Sequence, residues 1–187
     1  MRTRFLAISG ATALLCTVPV AATAAPPVER EHYSFTDVFT ETECGFAIDF
    51  VVEGQGLFMA REVPGSEGQA FLGFDNYEFR AVLTNADTGA WMVARGNGLF
   101  KEMSGTQVEG DIWEFTAMDV GQPLVVEDSD GNVVLRDRGR ITFRALFDTL
   151  GDGQPGGILL EEEITGVFGP HPSLDLDFCE VVTDLIG

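Results

Sequence analysis

The sequence alternates most regularly over residues 140–147, which read Arg-Ile-Thr-Phe-Arg-Ala-Leu-Phe. Every second residue from 141 to 147 is apolar, whereas positions 140, 142 and 144 are polar. An extended chain places alternate side chains on opposite faces, so this stretch predicts a β-strand with one buried face and one solvated face.

The same period-two pattern recurs along the chain. It is clear over residues 46–53, 77–84 and 113–117, and weaker strands are expected at 33–40, 56–61, 90–95, 99–103, 124–126, 133–135 and 158–165. Residues 174–178 alternate as well, and 180–186 is expected to finish as a strand or a short helix. Most of the chain is therefore predicted to be strand.

Short polar connectors separate these segments. Residues 85–89 (Asn-Ala-Asp-Thr-Gly) and 128–132 (Asp-Ser-Asp-Gly-Asn) place Asn, Asp and Gly where a tight turn needs them, so each predicts an antiparallel hairpin. Longer polar, Gly-rich loops are expected at 63–69 and 150–157. Together the segments predict an all-β fold, an antiparallel meander of 8–10 strands forming a β-barrel or a two-sheet sandwich. A single domain is expected over residues 33–187, after an N-terminal tail at 25–32, and no internal repeat is claimed.

The first 24 residues have the three parts of a signal peptide. Arg2 and Arg4 precede an uncharged, mostly apolar stretch over residues 5–20, and Ala-Thr-Ala follows at 22–24. We expect cleavage near Ala24–Ala25, a secreted protein, and no membrane span after cleavage. A transmembrane anchor is the alternative, but the stretch is short for the roughly 20 residues that a span needs. A lipoprotein at Cys16 would require a small residue before it, where this chain has Leu.

Two cysteines, Cys44 and Cys179, remain after such cleavage. Outside the cytoplasm two cysteines in one small domain usually pair, so we predict a Cys44–Cys179 disulfide between the second strand and the last. Closing a loop of roughly 130 residues would stabilise the fold by on the order of 5 kcal/mol in chain-entropy terms. The alternative, a reactive thiol or a metal thiolate, lacks a third cysteine or a histidine close in sequence to either one.

The charge balance limits the partners. With 30 acidic and 11 basic residues the formal charge is -19, which excludes nucleic acid and anionic lipid surfaces and favours a cationic partner. Residues 128–131 and 148–153 have part of the spacing of calcium-binding loops, but each lacks required ligands, so both are expected to be turns. No metal-ligating or cofactor-binding residue is predicted.

No catalytic constellation is found either. His32 falls in the predicted tail and His171 in a loop, while Pro-Gly-Ser-Glu-Gly at 64–68 misses the nucleophile-elbow motif by its first glycine. Three acidic residues lie on the non-aromatic faces of the predicted strands, Glu53, Glu78 and Glu114. They are expected to form a solvated exterior, or to line the barrel if its interior is polar. The 15 phenylalanines are expected to fill the core or to line a cavity for an apolar ligand.

Four short structural motifs are the basis for a resemblance to a known group of proteins. They are Cys-Gly-Phe at 44–46, Leu-Thr-Asn-Ala-Asp-Thr-Gly at 83–89, Gly-Arg-Ile-Thr-Phe at 139–143 and Asp-Phe-Cys at 177–179. In this layout the chain resembles uncharacterised small secreted β-proteins of high-GC Gram-positive bacteria. The resemblance implies export, β architecture and the disulfide, and it supplies no active residue.

These observations favour a secreted, acidic β-domain that acts as a non-enzymatic binding or interaction module, for example for a small apolar ligand in an aromatic-lined barrel. Two alternatives stay open. One is a carboxylate-dependent extracellular enzyme, an isomerase, a cyclase or a glycan-acting enzyme. The other is a structural surface protein.

Overall fold

The computed structural model describes residues 28–187, so the predicted signal peptide lies outside the described residues. Eight strands are followed by a short 3₁₀ helix, Pro172–Asp175, and by one α-helix. Their bounds are β1 (Glu29–Glu41), β2 (Ile48–Glu62), β3 (Phe71–Asn85), β4 (Trp91–Glu109), β5 (Ile112–Glu127), β6 (Val133–Arg136), β7 (Gly139–Asp148), β8 (Ile158–Phe168) and α1 (Phe178–Ile186). The predicted all-β class is confirmed, and β1 begins inside the segment predicted as a tail.

All eight strands belong to one antiparallel sheet. Its order is β1-β2-β3-β4-β5-β7-β8, and β6 pairs with β5 beyond the end of β7. The meander and the strand count are confirmed, but the sheet is not closed into a barrel, and no second sheet forms within residues 28–187.

Both edge strands carry acidic residues on the core side of the open sheet. Glu162 of β8 pairs with the buried Ala145, and Asp37 of β1 pairs with the half-buried Val52, so both acids lie on the face that carries the core. Exposed edge strands that carry charges are the usual alternative to closure.

The buried face of the sheet, called the core face below, follows from the register. Cross-strand neighbours such as Phe50, Leu83 and Met92 point to this side. They alternate with residues of the opposite face, which range from exposed, such as Val51, to buried, such as Val93. The predicted alternation is therefore confirmed, and Glu53 and Glu78 lie exposed on the opposite face as expected.

The core face holds two separate clusters at its two ends. The helix-end core joins buried strand residues to α1: Ile48, Ala81, Leu83, Met92, Ala94, Val126, Leu135, Val182 and Ile186. The loop-end core lies at the other end of the long strands: Val63, Ala70, Trp113 and Phe115, with Leu72 and Phe147 packed against it. The part of the core face between the two cores carries side chains that belong to neither cluster.

The C-terminal strand predicted over residues 174–178 is wrong. The alternating residues Leu174, Leu176 and Phe178 are all exposed, so no sheet face uses them. Instead the Asp177 carboxylate accepts a hydrogen bond from the Cys179 N–H at 2.8 Å and caps α1. The helix then buries Val182 and Ile186 against the sheet.

The Cys44–Cys179 disulfide is present, with a Cα–Cα distance of 5.1 Å. It joins the loop between β1 and β2 to the first turn of α1, rather than to a last strand as predicted. The Asn85 side chain adds a second link, because its Nδ2 donates to the Ile186 carbonyl at 2.8 Å. The bridge and this hydrogen bond therefore hold the two ends of α1 on the sheet.

Candidate functional site: a phenylalanine-lined cavity

The most apolar pocket of the core face is a cavity of about 200 Å³ beside the loop-end core. Five phenylalanines make up most of its wall, together with small residues, one acid and two residues of the loop before β8. The lining residues are Phe58, Ala60, Phe71, Gly73, Phe100, Glu102, Phe115, Phe147, Pro155 and Gly156.

Curvature of the sheet brings these residues together. Phe58 on β2 and Phe147 on β7 are four strand steps apart, which is roughly 19 Å in a flat sheet at about 4.8 Å per step. Both nevertheless line one small cavity. The sheet therefore curls toward its core face at this end, and Pro155 and Gly156 of the loop before β8 complete the lining.

Glu102 supplies the one charged side chain in this wall. It shares a strand face with Phe100, and its backbone partner on β5 is the buried Ala117. The register between β3 and β4 ends at the Phe74–Lys101 pair, just short of Gly73. The Gly73 N–H instead donates to Glu102 Oε2 at 2.5 Å, and this bond fixes the carboxylate at the cavity wall.

The environment of Glu102 disfavours its charged form. Burial raises the pKa of the Glu102 carboxyl above its usual range, and the hydrogen bond from Gly73 opposes that rise. Among residues 28–187 no other donor reaches the carboxylate, and no Lys or Arg forms an ion pair with it. The second oxygen, Oε1, therefore has no hydrogen-bond partner among the described residues.

Two tyrosine–aspartate pairs lie on the core face beside the cavity. Tyr33 Oη donates to the Asp75 carboxylate at 3.0 Å, and Tyr77 Oη donates to Asp119 at 2.8 Å. Burial, reinforced by the acceptor Asp75, raises the pKa of Tyr33 to about 12. Burial, followed by the bond to Asp119, also raises the pKa of Tyr77.

These pairs belong to an internal repeat. Each tyrosine starts a Tyr-x-Phe sequence, at 33–35 and at 77–79, and each pair spans 42 residues. The rings lie over Gly-x-Gly sequences of the next strand, at 54–56 and at 96–98. No repeat was claimed from the sequence, because the two copies share only these few spaced residues.

Two of the three acids considered for catalysis, Glu53 and Glu78, are exposed and line one shallow pocket together with Arg80. Glu114 lies elsewhere and forms an ion pair with Arg144 at 3.1 Å. Asp75 and Asp119 are engaged by tyrosines. No particular geometry therefore favours glycoside chemistry over binding.

The two histidines lie apart from the cavity lining. His32 is exposed on β1, and His171 is buried in the turn after β8. Within the described part of the chain neither ring nitrogen of His171 has a hydrogen-bond partner. Neither histidine is paired with a nucleophile.

The turns examined for nucleophile and calcium motifs have structural roles. Ser66, from the near-match to a nucleophile elbow, donates to the Ala70 carbonyl at 3.2 Å and closes its own loop. Asp128 accepts hydrogen bonds from the backbone N–H groups of Asp130 and Asn132 at 3.0 and 2.8 Å. The prediction that residues 128–131 form a hairpin turn is confirmed.

Comparisons with protein-family models, with curated proteins and with solved structures find no match to this chain. Within residues 28–187 no helix is long and apolar enough to cross a membrane. The cavity and its lining are the structural basis for the function proposed below.

Sequence reasoning predicted an aromatic-lined cavity as one role of the phenylalanines, but it did not identify Glu102. The available signal was a glutamate two residues after Phe100, on the aromatic rather than the polar face of a strand. An acid placed among apolar side chains in this way is a candidate for function, because burial without a partner is costly.

Proposed function

We propose that this protein is a secreted binding protein that takes up a small apolar molecule in the phenylalanine-lined cavity. The observation that carries the proposal is a concave pocket of about 200 Å³ lined by five phenylalanines and bordered by the loop before β8. Ligand sites are typically concave and mostly apolar, with a few polar groups that fix orientation.

The volume limits the ligand. An apolar cavity of about 150 Å³ accommodates benzene, whereas drug-sized ligands need about 300 Å³ or more. A cavity of 200 Å³ therefore suits a molecule of one ring, or a short branched alkyl group, with about seven to ten non-hydrogen atoms.

Such a ligand binds with modest affinity. At about 0.6 kcal/mol per non-hydrogen atom, within the range observed for small ligands, eight atoms give about 5 kcal/mol. This corresponds to a Kd of about 0.2 mM. The expected role is capture of a ligand that is present at high local concentration.

Secretion is the other part of the proposal. It is supported by the signal-peptide pattern of residues 1–24, by the Cys44–Cys179 bridge, which is typical of oxidising compartments, and by the resemblance to small exported proteins. Expression of the full chain in a bacterial host, followed by intact-mass measurement of exported protein, tests it. We expect cleavage near Ala24–Ala25; retention of residues 1–24 on the protein would contradict this part.

Titration with toluene, followed by NMR of the aromatic and methyl groups, tests the binding proposal. We expect saturable shifts concentrated on Phe58, Phe100, Phe147 and the loop before β8. Ala60→Val adds two carbon atoms at a fully buried lining position and should weaken binding at least tenfold. Ala81→Val is the matched control, because it changes a buried alanine of the helix-end core.

Circular dichroism establishes that both variants are folded, and the shift map of the unaltered protein stands independently of them. Absence of saturable binding would refute the proposal. So would shifts centred on the helix-end core, or equal weakening by both substitutions.

A further inference from the structure

The cavity has a polar component that an apolar ligand alone does not use. Glu102 is the one charged residue of the lining, and Gly73 holds one of its two carboxylate oxygens at 2.5 Å. That bond engages Oε2 only, so Oε1 keeps its capacity to accept a hydrogen bond from a ligand. A carboxylate only accepts hydrogen bonds, so its partner must be a donor.

Among residues 28–187 no side chain forms an ion pair with Glu102. Arg61 and Lys101 line a second pocket that Glu102 also borders, but neither pairs with the carboxylate. A buried carboxylate without a counter-ion is unfavourable, and a ligand that brings one recovers part of that cost.

The walls suit a cation as well as an apolar group. The faces of the phenylalanine rings carry partial negative charge, and cations within about 6 Å of a ring centroid are attracted to them. The whole chain has a formal charge of -19, so its long-range field also attracts cations and repels anions.

We propose that the cavity binds small organic ammonium ions, primary amines on a single ring or a short alkyl group, with Glu102 as the counter-ion. This inference rests on the proposed binding function and specifies its ligand class. The ammonium group donates to Glu102 Oε1 while the apolar part fills the space among the phenylalanine rings. Neutral alcohols of the same shape can donate one hydrogen bond, but they bring no charge to the carboxylate.

Benzylamine, benzyl alcohol and toluene have nearly equal shapes. Comparing their affinities therefore separates the effects of charge, of hydrogen bonding and of apolar contact. Isothermal titration at pH 7.5 and low salt is carried out on the unaltered protein, on Glu102→Gln and on Glu78→Gln. Glutamine keeps an oxygen that can accept the Gly73 hydrogen bond, so Glu102→Gln removes the charge with little change of shape. Glu78→Gln removes the same charge from an exposed position on the opposite face.

We expect benzylamine to bind at least tenfold more tightly than benzyl alcohol or toluene. Glu102→Gln should abolish that preference and change toluene binding by less than twofold, whereas Glu78→Gln should leave all three affinities within twofold. The Gly73 amide resonance should shift on titration with benzylamine, because it donates to the same carboxylate.

The outcomes distinguish this inference from the proposed function. If toluene and benzyl alcohol bind as tightly as benzylamine, the ammonium inference is wrong and the apolar binding function stands. If benzylamine binds tightly but equally to Glu102→Gln, the ammonium is bound elsewhere and the inference is also wrong. If none of the three probes binds, both are refuted.

Discussion

Gly96 lies where two neighbouring strands and an aromatic ring meet, and its substitution by alanine tests the packing of the core face. A methyl group at Gly96 would lie 2.3 Å from the Pro123 carbonyl oxygen on β5 and 2.6 Å from the Phe79 ring. Both distances are well below van der Waals contact. The Pro123 contact is with backbone, so a rotamer change alone cannot relieve it.

The expected cost follows from these contacts. Overpacking by one methyl group in a rigid site costs about 1–3 kcal/mol, and the lower entropy of the unfolded alanine chain returns about 0.4–1 kcal/mol. We expect Gly96→Ala to lower the free energy of unfolding by about 1–2 kcal/mol. Gly54→Ala is the matched control, because the three atoms nearest to its methyl group all belong to the ring of Phe35 on the edge strand.

The Phe35 side chain can move away, since it is 43% exposed, so Gly54→Ala should change stability by less than about 0.5 kcal/mol. Urea unfolding of both variants with the disulfide intact, followed by tryptophan fluorescence, measures the difference. Equal stabilities of the two variants, or a Gly96→Ala variant as stable as the unaltered protein, would show that β4 and β5 do not approach as described.

Three further predictions concern stability. Replacing Cys44 and Cys179 together by serine should lower the free energy of unfolding in urea by about 2–5 kcal/mol, because the bridge closes a loop of most of the described chain. A decrease below about 1 kcal/mol would contradict this stabilising role. Ile186→Ala should lower the free energy of unfolding by about 2–4 kcal/mol, since this side chain is 1% exposed in the helix-end core. The melting temperature should fall by several degrees, and an unchanged value would mean that α1 does not pack there. Tyr33 and Tyr77 have pKa values raised mainly by burial, Tyr33 to about 12, so they contribute stability that is complete below pH 10 and is lost as the pH rises toward 12. Because both tyrosines are partly exposed and solvent screens their charge, each costs well under the roughly 1.4 kcal/mol per pH unit of a fully buried group. Changing both to phenylalanine should flatten the curve of unfolding free energy against pH between 10 and 11.5, and an unchanged slope would refute the raised pKa values.

The alternation of apolar and polar residues was sufficient to predict most of the strands and the hairpin turns. It failed where glycine was interpreted as a break. Residues 46–53 and 56–61 were predicted as two strands, as were 90–95 and 99–103, but β2 and β4 run through without interruption. The glycines between them, at 54–56 and 96–98, leave space for aromatic rings of the adjacent strand. Within a strand, glycine can therefore indicate close approach rather than a turn.

The disulfide was also predictable, since two cysteines in an exported domain have few alternatives. The element that carries Cys179 was not. Residues 174–178 alternate as a strand would, and only the capping role of Asp177 and the burial of Val182 and Ile186 indicate the helix. Short segments of this kind are decided by tertiary packing rather than by local pattern.

The cavity was predictable only in outline. An excess of phenylalanine favours an aromatic-lined site, but the volume depends on how strongly the sheet curls and on the loop that supplies Pro155 and Gly156. Neither property is encoded in the period-two pattern. Glu102 could be placed on the aromatic face from sequence, but its bond to Gly73 depends on where the pairing of β3 and β4 ends.

A crystal structure of the protein under xenon pressure tests the central claim most directly, because xenon enters dry apolar cavities of about this size. The account predicts one open, eight-stranded sheet with xenon density among Phe58, Phe100 and Phe147, beside Glu102. A closed barrel, or phenylalanine rings packed together without xenon between them, would contradict it.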